Sequence, residues 1–403
     1  MTVNTQSHAA TPASKEEKER IETLRQKLLE NLPNGIPTDL DTDLNLLRWI
    51  RGYQENFDSI TQNFVKYVSS RKAAGFSDAD LPEKFFEMPK IASYLPFIAS
   101  SRLQDQQWLE ENNAFLFVER SWNQPKEFIK SMKTSDYLFH CFGYSEMLLQ
   151  LILRREAKQT QNKGPIQFIV IFDLSSINIM DYLNPLSGHM KLWQLRSQLW
   201  QEWYPEMVQR IYLVHPPRAL GLLWKLAKLF LNERNARLIE VISDLKELTQ
   251  KHLPKWFVPK EFGGDFVNTM MPGDSSGVSV RRKILNEDHY TVNRHYSGKK
   301  VERLKPKKKD LSTGEQFIVP VAISENESIL WDLTISGDID FCVYRNQDHN
   351  DLVYPHFHLI SSRLPEEGMF ECLDAGEYNF CFHNRSDYFA VKLEYSISIE
   401  KAK

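Results

Sequence analysis

The chain has 403 residues, enough for two or three domains, with 42% apolar and 26% charged residues, as in ordinary globular proteins. A formal charge of -3 denies nucleic acid its usual basic footprint, and no run of about 18 apolar residues supplies a membrane-spanning helix. The four cysteines (Cys141, Cys342, Cys372 and Cys381) form no C-x-x-C pair and read as reduced, buried small hydrophobes of a cytosolic chain.

The first twenty residues lack an apolar core, so residues 1–14 read as a disordered lead-in rather than a secretory signal. Thr2 rules out N-myristoylation and the terminal "EKAK" is not a prenylation box. Ile21, Leu24 and Leu28 recur at helical spacing over 15–32, and "PNGIP" (33–37) ends that helix. "TDLDTDLNLLRWIRGY" offers Asp and Thr caps before a stripe of Leu44, Leu47 and Ile50. A third helix carries Phe57, Ile60, Phe64 and Tyr67 on one face, with Gly75 as its stop. Residues 15–80 therefore form a helical bundle.

The pattern then alternates. Strands are expected at 113–120, 165–174 and 209–215, and helices at 135–158, 189–203, 218–231 and 235–253. "PIQFIVIFDL" is apolar on both faces, as a strand covered by helices would be. This is an α/β domain over 81–267. Residues 268–284 are polar and turn-rich, a linker. Beyond it, short runs rich in Val, Ile, Phe and Tyr, separated by Gly, Asn and Asp, predict an all-β antiparallel sandwich over 285–400.

Strings suggestive of chemistry read as structure instead. "GDSSG" (273–277) lacks the buried strand that a nucleophile turn needs, so it reads as linker. Asp173 ends a strand without any phosphate loop and reads as a turn cap. His356 and His358 lack companion ligands and read as surface histidines, not a metal site. "LKPKKKD" (304–310) reads as a solvated loop, with attraction to anionic lipid as its functional reading. No nucleophile or acid–base pair emerges, so an enzyme is not expected and no cofactor is implied.

Residues 218–231, "RALGLLWKLAKLFL", pose a different question. On a wheel stepping about 100° per residue, Lys225, Lys228 and Asn232 make one narrow polar strip, and the apolar arc covers well over half the circumference. Such a helix is buried, or enters a membrane interface, or does each in turn. Trp193, Trp200, Trp203, Tyr204 and Trp224 crowd around it, which fits a large apolar cavity under a greasy lid.

"WYPEMVQRIYLVHPPRALGLLWKLAKLFL" resembles the CRAL-TRIO lipid-binding domain in its Tyr204-Pro205-Glu206, the strand after it and the gate helix. "VPKEFGGDF" is similar to that domain's closing motif, and "LLRWIRGYQENFD" to its preceding helical segment. "PEEGMFECLDAGEYNFCFHN" resembles a run of the GOLD domain, a jelly-roll-like sandwich. Together they point to the group of supernatant protein factor and tocopherol-associated proteins, which are phosphatidylinositol-transfer-like. The resemblance implies a cytoplasmic protein, peripheral at membranes, that binds and transfers a single lipid. The alternative is a lipid-sensing scaffold whose GOLD domain recruits trafficking or signalling partners.

The resemblance also implies a site. The lipid pocket would comprise Tyr144, Phe168, Val170, Phe172, Glu206, Leu220, Leu223, Trp224, Ala227, Phe230 and Arg237. Leu222, Leu226, Leu229 and Leu231 would form the face that meets the membrane. Phe168 and Val170 stand where relatives place hydroxyls for phosphocholine, and Leu238 stands where an inositide site has Lys, beside Arg237. A phosphate set against these apolar groups would lose hydrogen bonds. The expected cargo is therefore tocopherol-, retinoid- or sterol-like, or a phospholipid held by its chains.

Overall fold

A computed structural model describes residues 11–98, 101–103, 107–159, 163–182, 184, 186–218, 221, 233–268, 282–297, 299, 301–361 and 364–401. The expectations for residues 1–10, for "GDSSG" and most of the linker, and for Leu220, Leu222, Leu223, Trp224, Leu226, Ala227, Leu229, Phe230 and Leu231 lie outside them.

The helices α1 (Lys15–Asn31), α2 (Asp43–Gly52) and α3 (Phe57–Ala73) make the N-terminal bundle. Ser14 and Glu17 close a reciprocal capping box that satisfies the first orphan amides of α1. Thr42 caps α2 through the Asn45 amide, as its position before the apolar stripe predicts. Gly75, at φ +71°, turns the chain just after α3. Ile21, Leu24, Leu28, Leu47, Ile50, Ile60, Phe64 and Tyr67 are all buried. The short helices α4 (Leu81–Lys84) and α5 (Pro89–Ala92) lead to the sheet.

That sheet has the order β1-β2-β3-β4-β5: β1 (Trp108–Leu109), β2 (Ala114–Arg120), β3 (Gln167–Asp173), β4 (Val208–Val214) and β5 (Ile239–Val241). β1 pairs antiparallel with β2; the other pairings are parallel. The helices α6 (Pro125–Ser131), α7 (Thr134–Glu156) and α8 (Gly188–Trp203) lie within the crossovers, which is what a parallel sheet demands. Along β3, Phe168, Val170 and Phe172 join the core on one face, while Ile169 and Ile171 join a second core on the other. Leu248, Leu253, Phe257, Val258 and Phe262 cover that second face.

The expected helix over 235–253 is not one helix. A single turn, α9 (Glu233–Ala236), gives way to β5, and helical structure resumes only at Leu245–Glu247 and Leu248–His252. Pairing of Ile239–Val241 with Ile211–Leu213 at the sheet edge overrides the local helical tendency.

The C-terminal region is all β. One sheet runs β10-β9-β12-β7 and the other β11-β8-β13-β6, with antiparallel pairing throughout. Their strands are β6 (Lys307–Leu311), β7 (Gln316–Ile323), β8 (Glu327–Ile335), β9 (Ile339–Arg345), β10 (Leu352–Leu359), β11 (Glu366–Cys372), β12 (Gly376–His383) and β13 (Val391–Glu400). Of the basic stretch read as a loop (304–310), Lys307–Asp310 lie in strand β6, paired to β13, with Lys308 2.9 Å from Glu394 and Lys309 2.7 Å from Glu315. His356 and His358 are not open-surface residues. Both are half-buried on β10 beside Asp340, which accepts a 2.8 Å bond with His358. The four cysteines are free and buried.

Candidate functional site

A cavity of about 350 Å³ lies between the sheet and α8. Its floor is Phe117 and Glu119 of β2, Val170 and Phe172 of β3, Val208, Ile211 and Leu213 of β4, and Ile239 of β5. Its wall is one stripe of α8: Met190, Trp193, Ser197 and Trp200, then Tyr204, spaced three and four apart. The opposite stripe, Leu192, Leu195, Leu199 and Trp203, is buried in the core shared with α7. One helix thus supplies both packing and a cavity wall, because it is apolar on two faces.

Tyr204, Pro205 and Glu206 close one end of the cavity and tie it to the N-terminal bundle. The Tyr204 hydroxyl donates to Glu146 of α7 at 3.1 Å, and Tyr67 of α3 donates to the same carboxylate at 2.9 Å. Burial pushes the Glu146 pKa up, opposed by the neighbouring Arg71 and the Tyr67 hydroxyl. Gly52 sits against Pro205 so closely that an added Cβ would lie 2.2 Å from the proline Cβ. Its glycine is required by this contact, not by backbone conformation. Arg48 and Glu156 form a buried ion pair with a 3.1 Å bond, and Arg48 also donates to the Ile166 carbonyl at 2.9 Å, anchoring α2 to the start of β3.

Glu206 occupies a left-handed backbone position, φ +61°. Gln167 donates to its carbonyl at 2.7 Å, while its carboxylate pairs with Arg234. Burial raises its pKa, and the charges of Arg234, Arg51 and Arg48 pull the other way. Arg234, not Arg237, therefore makes the ion pair with Glu206. Arg237 is exposed and lies 3.5 Å from Glu233. Leu238, at the position where an inositide site would carry Lys, lines the cavity.

Of the residues that the resemblance assigns to a lipid pocket, Val170, Phe172 and Glu206 line this cavity. Tyr144 and Phe168 are buried beside it without lining it. Tyr144 donates a 2.6 Å bond to the Ser101 carbonyl, and Phe168 packs edge-on against Phe117 at 6.1 Å. Sequence reasoning missed the second charged pair on the cavity. Glu119 of β2 and Arg196 of α8 form a two-pronged ion pair, one bond measuring 2.6 Å. At Asp173, Ser175 and His215 both contact the carboxylate, at 2.9 Å each, so this strand-terminal Asp caps a turn. Among the described residues there is no cluster of His, Cys, Asp and Glu able to hold a metal.

The result is an α/β domain with a largely apolar cavity between one helix and a mostly parallel sheet. Residues 125–264 match the CRAL/TRIO domain. A CRAL-TRIO domain-containing protein of Caenorhabditis elegans is 56% identical over 399 residues, covering 99% of this chain and 100% of the relative. Protein ctg-1 of the same nematode is 22% identical over 405 residues, covering 94% of this chain and 97% of its own. Sec14 cytosolic factor of Schizosaccharomyces pombe is 25% identical over 253 residues, covering 62% of this chain and 83% of its own. The chain belongs to the CRAL-TRIO family, whose members generally bind or transfer lipids.

Proposed function

We propose that this protein is an intracellular, non-enzymatic carrier that shelters one hydrophobic lipid beneath residues 218–231 and exchanges it at membranes. The observation that carries this reading is the cavity over β2–β5. Its volume of about 350 Å³ stands at the small end of ligand sites. Each methylene buried there contributes roughly 0.8 kcal/mol. A tocopherol-, retinoid- or sterol-like lipid, or one chain of a phospholipid, suits that space. Val170 and Leu238 on the lining, with Glu206 already paired to Arg234, disfavour a phosphocholine or inositide headgroup.

The apolar arc of residues 218–231 is the proposed gate, and it rests on their sequence pattern. Lys305, just before β6, and Lys307, its first residue, are exposed and would attract anionic headgroups. The sandwich, read as a GOLD domain, would contact protein partners. One observation favours the scaffold reading beside the carrier: Tyr388 and Phe389, adjacent on the β12–β13 loop, are 83% and 74% exposed. Transfer of a fluorescent retinoid or sterol between vesicles separates the two. A carrier moves the probe at a rate proportional to protein concentration. A filled cavity with no transfer would leave the scaffold.

A further inference from the structure

The carrier reading leaves the polar chemistry of the ligand open, and the ion pair Glu119–Arg196 speaks to it. The two residues stand 77 positions apart, on β2 and α8, and meet on the cavity lining. Glu119 pairs in register with Phe172, whereas Phe168 pairs with Val208, next to the Glu206 end. The two charged pairs are thus separated by about four residues of strand, roughly 13 Å. Phe117, Val170 and Ile211 floor the space between them.

A carboxylate and a guanidinium fixed side by side present acceptor and donor together. Their mutual bonds use two of the N–H donors and about half of the acceptor sites. A hydroxyl, which donates and accepts, matches such a pair. An ether cannot donate. A carboxylate or phosphate could accept from the remaining N–H groups of Arg196 but would stand beside the like charge of Glu119, which disfavours it.

We propose that Glu119 and Arg196 form a hydroxyl-binding anchor inside the cavity, selecting an uncharged lipid alcohol. This rests on the carrier reading. Both residues would touch the ligand and determine its specificity.

The test is binding of three probes of one skeleton to the full-length, delipidated protein: tetradecanol, tetradecyl methyl ether and tetradecanoate. The alcohol should bind about tenfold more tightly than the ether, and more tightly than the carboxylate. Glu119→Gln removes the partner charge, so its preference should turn from the alcohol toward tetradecanoate. The wild-type ranking stands on its own if that variant fails to fold. Equal binding of all three probes by wild type would overturn the anchor and leave the carrier standing. Binding of none, with no lipid retained from expression, would overturn the carrier as well.

Discussion

His140 shows what one buried side chain does to the whole protein. It lies on α7, 3% exposed, and its Nδ1 has no hydrogen-bond partner. Burial, reinforced by the charge of Arg196, pushes its pKa from 6.5 down to about 3. Unfolding exposes an imidazole that takes a proton which the folded protein refuses. Between those two values the unfolded state binds more protons, so stability falls as pH falls, with a slope of up to ~1.4 kcal/mol per pH unit. Above pH 6.5 the contribution is fully present. His140→Phe removes it: urea midpoints measured from pH 7 to pH 4 should fall less steeply for the variant than for wild type, and parallel profiles would contradict this. At the same scale, the shared face of Phe168, Val170 and Phe172 was legible in the sequence, because strand alternation places them. The Glu119–Arg196 pair was not legible. Nothing local links a strand end to a helix far along the chain; only the packing of α8 over β2 joins them.

Among elements, α7 depends on a cap from another part of the chain. Its own N-cap residue, Lys133, makes no side-chain cap bond. Instead the Glu366 carboxylate of β11 accepts the amides of Thr134 and Ser135, at 2.9 and 3.1 Å. A buried acid at a helix N-terminus satisfies orphan donors and opposes the macrodipole. Glu366→Ala leaves both amides without an acceptor and should cost about 2–3 kcal/mol in urea unfolding. Glu366→Gln keeps an oxygen acceptor and should cost less. An alanine variant as stable as wild type would show that the cap contributes nothing. Such a cap is invisible in sequence, since the helix and its acceptor lie more than 200 residues apart. Strand β6 was missed for a related reason. Its lysines look solvated, and only pairing with β13 makes them a strand. The segment over 235–253 was misread because its apolar residues suit a helix as well as an edge strand.

At the scale of the molecule, the order of bundle, α/β sheet and β region followed from the changing period of hydrophobicity. Their docking did not. β10 packs on α3, where Ser70 Oγ accepts the His356 amide at 3.1 Å. Phe142 of α7 meets Phe357 of β10 edge-on at 6.5 Å. One buried core runs from the bundle through the α/β sheet into the sandwich. The sandwich is thus part of the frame that holds α7, and α7 shares a core with the cavity-lining helix α8. A lipid carrier needs such a frame, because an apolar hollow gains nothing if its walls can collapse together. Among the described residues no helix is long and apolar enough to cross a membrane. The most direct measurement is native mass spectrometry of the full-length protein as purified, followed by solvent extraction. The expected result is one uncharged, hydroxyl-bearing lipid per chain, lost on extraction. A spectrum of bare protein, unchanged by incubation with lipid alcohols, would contradict the carrier.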